Sequence, residues 1–186
     1  MPVTRRILGI DPGSRITGVG IIEKNEKEAP QCLFGGCIRL TAPEESMRLG
    51  SLFAEIQTLV QTYQPTEIAI EQVFVNKNVR SALKLGQARG VAIAAVMQAN
   101  LMVYEYAPRQ IKQAITGSGA ADKSQIQHMV QVLLSLEQKP QVDASDALAV
   151  ALCHLHTDLT AQKVSRKSTH RRNRLAWESY DRTTSR

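Results

Sequence analysis

Four acidic residues are spaced so that they could hold hard cations. Asp11 closes the apolar run RILGID and Glu71 closes TEIAIE, so two strand-like segments each end on a carboxylate. Asp143 and Asp146 stand before the apolar stretch ALAVALCHL, and their i, i+3 spacing puts both on one face of a helix. Each has a plainer reading alone. Asp11 before Pro12-Gly13 starts a turn, Glu71 is a solvated strand end, and Asp143 with Asp146 caps a helix. Together they say more. Four carboxylates in one cleft repel unless cations neutralise them, and oxygen-only ligation selects Mg²⁺ above all. Two such ions about 4 Å apart would activate a water and stabilise the leaving oxygen of a phosphodiester. Cys32, Cys37 and Cys153 show no CxxC or His-paired spacing, which argues against zinc and disulfide frameworks and for a reducing cytoplasm.

The elements between these residues must bring them together. Arg6–Asp11, Ile16–Glu23 and Gln31–Leu40 read as three strands, the first two joined by the Pro12-Gly13-Ser14 turn into an antiparallel hairpin. Apolar residues from Met47 to Val60 recur at helical spacing over Glu45–Tyr63, and Thr66–Glu71 makes a fourth strand. A long Ala- and Leu-rich helix is expected over Ser81–Asn100, a fifth strand over Leu101–Tyr106 and a short helix over Ala107–Ile115. The segment TGSGAADK reads as a loop, Ser124–Glu137 as an amphipathic helix and Val142–His156 as the last helix. The order βββαβαβ implies a mixed five-stranded sheet with helices on both faces. Right-handed crossovers set strand four beside strand one, so Asp11 and Glu71 meet at the carboxyl edge, where ligands of open α/β sheets bind.

With 186 residues the chain has room for one domain and a tail. No apolar run approaches the ~20 residues of a membrane span, and the short run after Arg5-Arg6 is no signal-peptide core. The net charge of +6 lies wholly in residues 159–186, which are expected to be disordered, whereas residues 1–158 are neutral and read as the folded domain. Within the body, residues 1–71 carry seven basic and nine acidic groups, and residues 72–142 eight basic and three acidic. An acidic spot facing a basic surface suits an enzyme that acts on a polyanion.

The segments GIDPGSRITGVGII, IAIEQVFVNKN, SALKLGQARGVAIAA, YAPRQIKQAITGSGAADKSQIQHMV and DASDALAVALCH resemble the RuvC family of bacterial Holliday-junction resolvases over about residues 6–156. The resemblance implies a ribonuclease H-like fold, a homodimer with two active sites, and metal-dependent cutting of four-way junction DNA. It places the family's catalytic, metal-holding acids on Asp11, Glu71, Asp143 and Asp146, with Mg²⁺ (or Mn²⁺ in its place) as cofactor. It implies that Phe74 stacks on bases, that Lys112 and Lys123 bind DNA, that the Ala- and Gly-rich helix near 81–97 pairs the subunits, and that RuvA with RuvB is a partner. Lys77, Asn78 and Arg80 follow Phe74 and could contact phosphates, or form a solvated loop. Gly117 and Gly119 could admit a DNA backbone or merely loosen a loop. His154 and His156 read as packing or polar-edge residues, not ligands. Two rivals are weaker. An actin- or sugar-kinase-like phosphotransferase needs two such domains, and a junction-binding protein without catalysis would lack acids that are all present.

Overall fold

Alternation decides which side of the sheet each residue of the first strand serves. Strand β1 (Arg5–Asp11) turns Leu8 and Ile10 to one side and Ile7, Gly9 and Asp11 to the other. The computed structural model describes residues 4–26, 28–73 and 78–157. Among them β1 is followed by β2 (Ile16–Lys24), β3 (Gln31–Arg39), α1 (Glu45–Tyr63), β4 (Glu67–Glu71), α2 (Val79–Met97), β5 (Val103–Tyr106), α3 (Pro108–Thr116), α4 (Lys123–Leu133) and α5 (Val142–His156). The strands form one sheet in the order β3-β2-β1-β4-β5, antiparallel from β1 outward to β3 and parallel from β1 to β5. This is the mixed five-stranded sheet expected from the sequence.

Each face has its own core. On one side α1 and α2 bury Leu52, Ile56, Ala88, Ala92 and Val96 against Leu8, Ile10, Ile21, Ile68 and Ile70. On the other, α5 lies on the sheet and α3 and α4 pack over it, enclosing Ile111, Ile115, Ile126 and Val130. Helix α5 is therefore covered from both sides, and Ala147 through His154 are all buried.

Glycine lets α5 come this close. A Cβ on Gly18 would stand 2.1 Å from the carbonyl oxygen of Asp143, and one on Gly9 would stand 2.2 Å from that of Ala147. Gly20, paired with Gly9 across the hairpin, makes room for the Leu148 side chain. The α5 backbone thus rests on the β1–β2 backbone along a glycine seam.

The helix ends explain where the sequence reading differs. Asn78 caps α2 by accepting from the Ser81 amide, so that helix begins at Val79 and ends at Met97, short of Asn100. Asp122 and Gln125 form a capping box, so α4 begins at Lys123, inside the segment read as loop. Helix α4 stops at Leu133, four residues before Glu137, because Ser135 takes a left-handed conformation with φ 49°. Gly117, at φ 76°, closes α3 as its C-cap.

Gly18→Ala should lower stability by about 1–3 kcal/mol, since the clash is with backbone that cannot rotate away. Gly50→Ala on α1, where nothing lies within 4 Å of the new carbon, should raise it by about 0.5–1 kcal/mol through helix propensity. Thermal denaturation of both variants checks the contrast.

Candidate active site

Register brings the first two acids together. Ile10 pairs with Ile70 across β1 and β4, so Asp11 and Glu71 are the next residues at the carboxyl edge. Both belong to the face that α5 covers, because they sit at even spacing from Gly9 and Ala69. Their outer neighbours are Gly18 and Tyr106. The glycine at 18 lets the N-terminal end of α5 reach the same edge and deliver Asp146.

These three acids line one cleft of about 200 Å³, walled by Pro108 and Ile111 of α3 and Ile126 of α4. Lys112 and Lys123 stand at its wall. Asp143 is not part of that lining, but it lies close enough to act on the charge of Lys123.

The electrostatics are those of crowded acids. Burial first, and then the negative charges of Glu71 and Asp146, push Asp11 up to about 8. Burial and Asp146 also raise Glu71, though the hydrogen bond that it shares with Asp11 opposes the rise. Lys123 answers Asp146: its Nζ donates to Asp146 Oδ2 at 2.9 Å, and this bond raises the lysine, helped by Asp11 and Asp143.

The chemistry of the donors fits a hard cation, since all are carboxylate oxygens drawn into a partly desolvated cleft. Among the described residues, however, no three His, Cys, Asp or Glu side chains are gathered as a metal-holding group. The Lys123 ammonium takes Asp146, and burial with mutual repulsion raises Asp11 and Glu71 toward their neutral forms, so the repulsion among the acids is eased from within the protein.

Other expected site residues fall elsewhere. Asn78 spends its side-chain oxygen on the α2 cap, and Arg80 is exposed on the first turn of that helix; neither lines the cleft. Phe74 and Lys77 lie outside the described residues, as does the tail from Asp158 onward.

Sequence reasoning missed a buried polar chain beneath α5. His154 is fully buried; its Nδ1 meets the Tyr106 hydroxyl at 2.6 Å and its Nε2 meets Glu67 Oε2 at 2.8 Å. Arg5 grips both oxygens of Glu67 at 2.8 and 2.9 Å. Burial alone would raise Glu67, but the bonds from His154 and Arg5 hold it down at about 2. His154 is thus a packing residue, as the sequence suggested, with a partner set that no local pattern could reveal. Tyr106 is 48 residues away and Glu67 is 87.

Comparison with known proteins agrees with this arrangement. A family model described as Crossover junction endodeoxyribonuclease RuvC matches residues 7–154. The chain is 55% identical over 163 residues to the protein of that name from Aliivibrio fischeri, covering 88% of this chain and 94% of the relative. It is 53% identical over 166 residues to that from Vibrio cholerae, covering 89% and 95%. The structure of T. thermophilus RuvC in complex with Holliday junction substrate superposes with a TM-score of 0.76 at 32% identity, over 82% of this chain and 93% of that one. The yeast mitochondrial Holliday junction resolvase Ydc2 shares the fold, with a TM-score of 0.62 at 12% identity over 82% and 79%. Matched along almost all of its described length by sequence and by architecture, the chain belongs to the RuvC family of crossover junction endodeoxyribonucleases.

Proposed function

We propose that this chain resolves four-way DNA junctions in recombination and repair, by paired nicks on strands of like polarity that leave 5′-phosphate and 3′-hydroxyl ends. The observation that carries the reading is the meeting of Asp11, Glu71 and Asp146 in one cleft beside Lys112 and Lys123. A protein that only bound junctions would have no use for such mutually repelling acids.

Metal dependence goes with the family. The finer assignment is that Asp11, Glu71, Asp143 and Asp146 hold Mg²⁺, two ions per site, with Mn²⁺ able to substitute. When bound, such ions lower the pKa of a water and neutralise charge on the phosphodiester. The chain's own part is positioning. Asp11 and Glu71 would hold the ions from the strand ends, and Lys112 and Lys123, at the wall of the cleft, would meet DNA phosphates. A lysine offers a point charge to the backbone and reads no sequence. Phe74 is assigned to base stacking at the crossover, and Lys77, Asn78 and Arg80 to flanking phosphates. Residues 1–158 form the catalytic unit in this reading, with 159–186 as a basic appendage.

The working unit is proposed to be a homodimer paired through α2. Val79, Leu83 and Met97 are 67%, 64% and 51% exposed, and Gly86 and Gly90, open to space, lie between them on the same helical face. An apolar stripe with small residues in its middle lets two copies approach closely about a two-fold axis. Two linked sites then give paired cuts. RuvA with RuvB is the branch-migration partner in this reading, and the cytoplasm the place of action. No helix among the described residues is long and apolar enough to cross a membrane.

Asn or Gln in place of Asp11, Glu71, Asp143 or Asp146 should abolish nicking of a synthetic junction in Mg²⁺ and leave junction binding intact, because affinity comes from the basic groups. Near-normal nicking by Asp146→Asn would reduce that residue to a partner of Lys123.

The metal-free protein should lose stability as pH rises from about 5 to about 8. A folded-state value near 8 for Asp11 means that the folded form keeps a proton the unfolded chain gives up. Asp11→Asn should remove much of that slope and raise the melting temperature at pH 8 by roughly 4–8 °C, equivalent to about 2 kcal/mol. Equal pH slopes of the unaltered protein and Asp11→Asn in calorimetry would show that Asp11 is not the proton holder.

Leu83→Arg should yield a folded monomer in sedimentation and uncouple the two nicks. A dimer that survives this change is not paired through α2.

A further inference from the structure

Gly119 is not an open seat for a ligand. A Cβ there would stand 2.7 Å from Arg109 Cγ and 3.1 Å from its Nε, so the stem of Arg109 already lies across it. The seat is firm. Thr116 Oγ1 accepts from the Ser118 amide at 3.2 Å, the Ala121 amide donates to the Ser118 carbonyl at 3.3 Å, and the Asp122 capping box closes the loop against α4. Arg109 itself is exposed, and among the described residues its guanidinium has no ion pair and no hydrogen bond. A long cation is held by its stem while its head stays unspent.

Its position gives the head a use. Arg109 precedes Lys112 by three residues on α3, so the two share a face, and the loop it crosses runs directly into Lys123. Lys112 and Lys123 line the acidic cleft. We infer that Arg109 is a third cation of the DNA-binding rim, held in place by Gly119 to grip a backbone phosphate next to the cleft.

The chemistry distinguishes it from the two lysines. A guanidinium is always charged and presents a planar fork that can bind a phosphate through two hydrogen bonds. Restraining the stem before DNA arrives reduces the ordering loss on binding. Gly119 therefore acts through Arg109: any side chain at 119 lifts the stem and spoils the aim of the fork.

This inference rests on the junction-resolving reading, and the test separates the two. Binding of a fluorescent four-way junction to the full-length protein is followed by anisotropy without divalent ions, over a range of salt. Arg109→Ala should bind about tenfold more weakly, with the salt slope reduced by about one. Gly119→Ala should weaken binding several-fold when Arg109 is present and leave it unchanged in the Arg109→Ala background. Thermal melts confirm that each variant is folded. Unchanged affinity and slope in Arg109→Ala overturn the inference, and so does a Gly119→Ala effect of equal size in both backgrounds. Failure of the unaltered protein to bind a junction would instead overturn the functional reading.

Discussion

The backbone of α5 touches the backbone of the β1–β2 hairpin, and the site depends on that contact. Helix-on-sheet packing ordinarily leaves a layer of side chains between the two. Here Gly9 and Gly18 remove the layer, and the Asp143 and Ala147 carbonyls occupy the space. Only then can a helix-borne carboxylate join two strand-borne ones at the sheet edge. Two glycines so placed set the reach of the acids as surely as the acids' own side chains do.

The crowding that follows is balanced by internal charge. Burial and mutual repulsion raise Asp11 and Glu71, and the protein answers Asp146 with a lysine. A site meant to stay neutral would need no such arrangement. The Lys123 ammonium balances Asp146, and it can leave. Lys123 is well suited to leaving, since most of its side chain is exposed while Asp146 is largely covered.

Much of this was legible in the sequence, and the limits follow from what a local pattern carries. Strands ending on Asp11 and Glu71, the parallel pairing of β1 with β4 and the span of α5 all come from short-range periodicity and crossover handedness. The early end of α4 turns on a single left-handed residue, Ser135, which hydrophobic spacing does not report. The Asp122-x-x-Gln125 box was open to reading, but it sits in a segment whose glycines argue for loop. The glycine seam, the Lys123–Asp146 pair and the His154 chain join residues far apart in sequence. Their meaning appears only when the sheet is assembled. Phe74 and Lys77, singled out from the sequence, fall outside the described residues.

Helix α5 resembles a beam fixed differently at its two ends. Its last turn is tied by His154 to Tyr106, both fully buried, and through His154 to the partly buried Glu67–Arg5 pair. Its first turn ends in acids whose balance depends on a proton, a lysine or a cation. Amide hydrogens near His154 should stay closed for as long as the sheet itself. The buried anchorage and the charged edge thus belong to opposite ends of one helix, and the charged end lies where the acids meet.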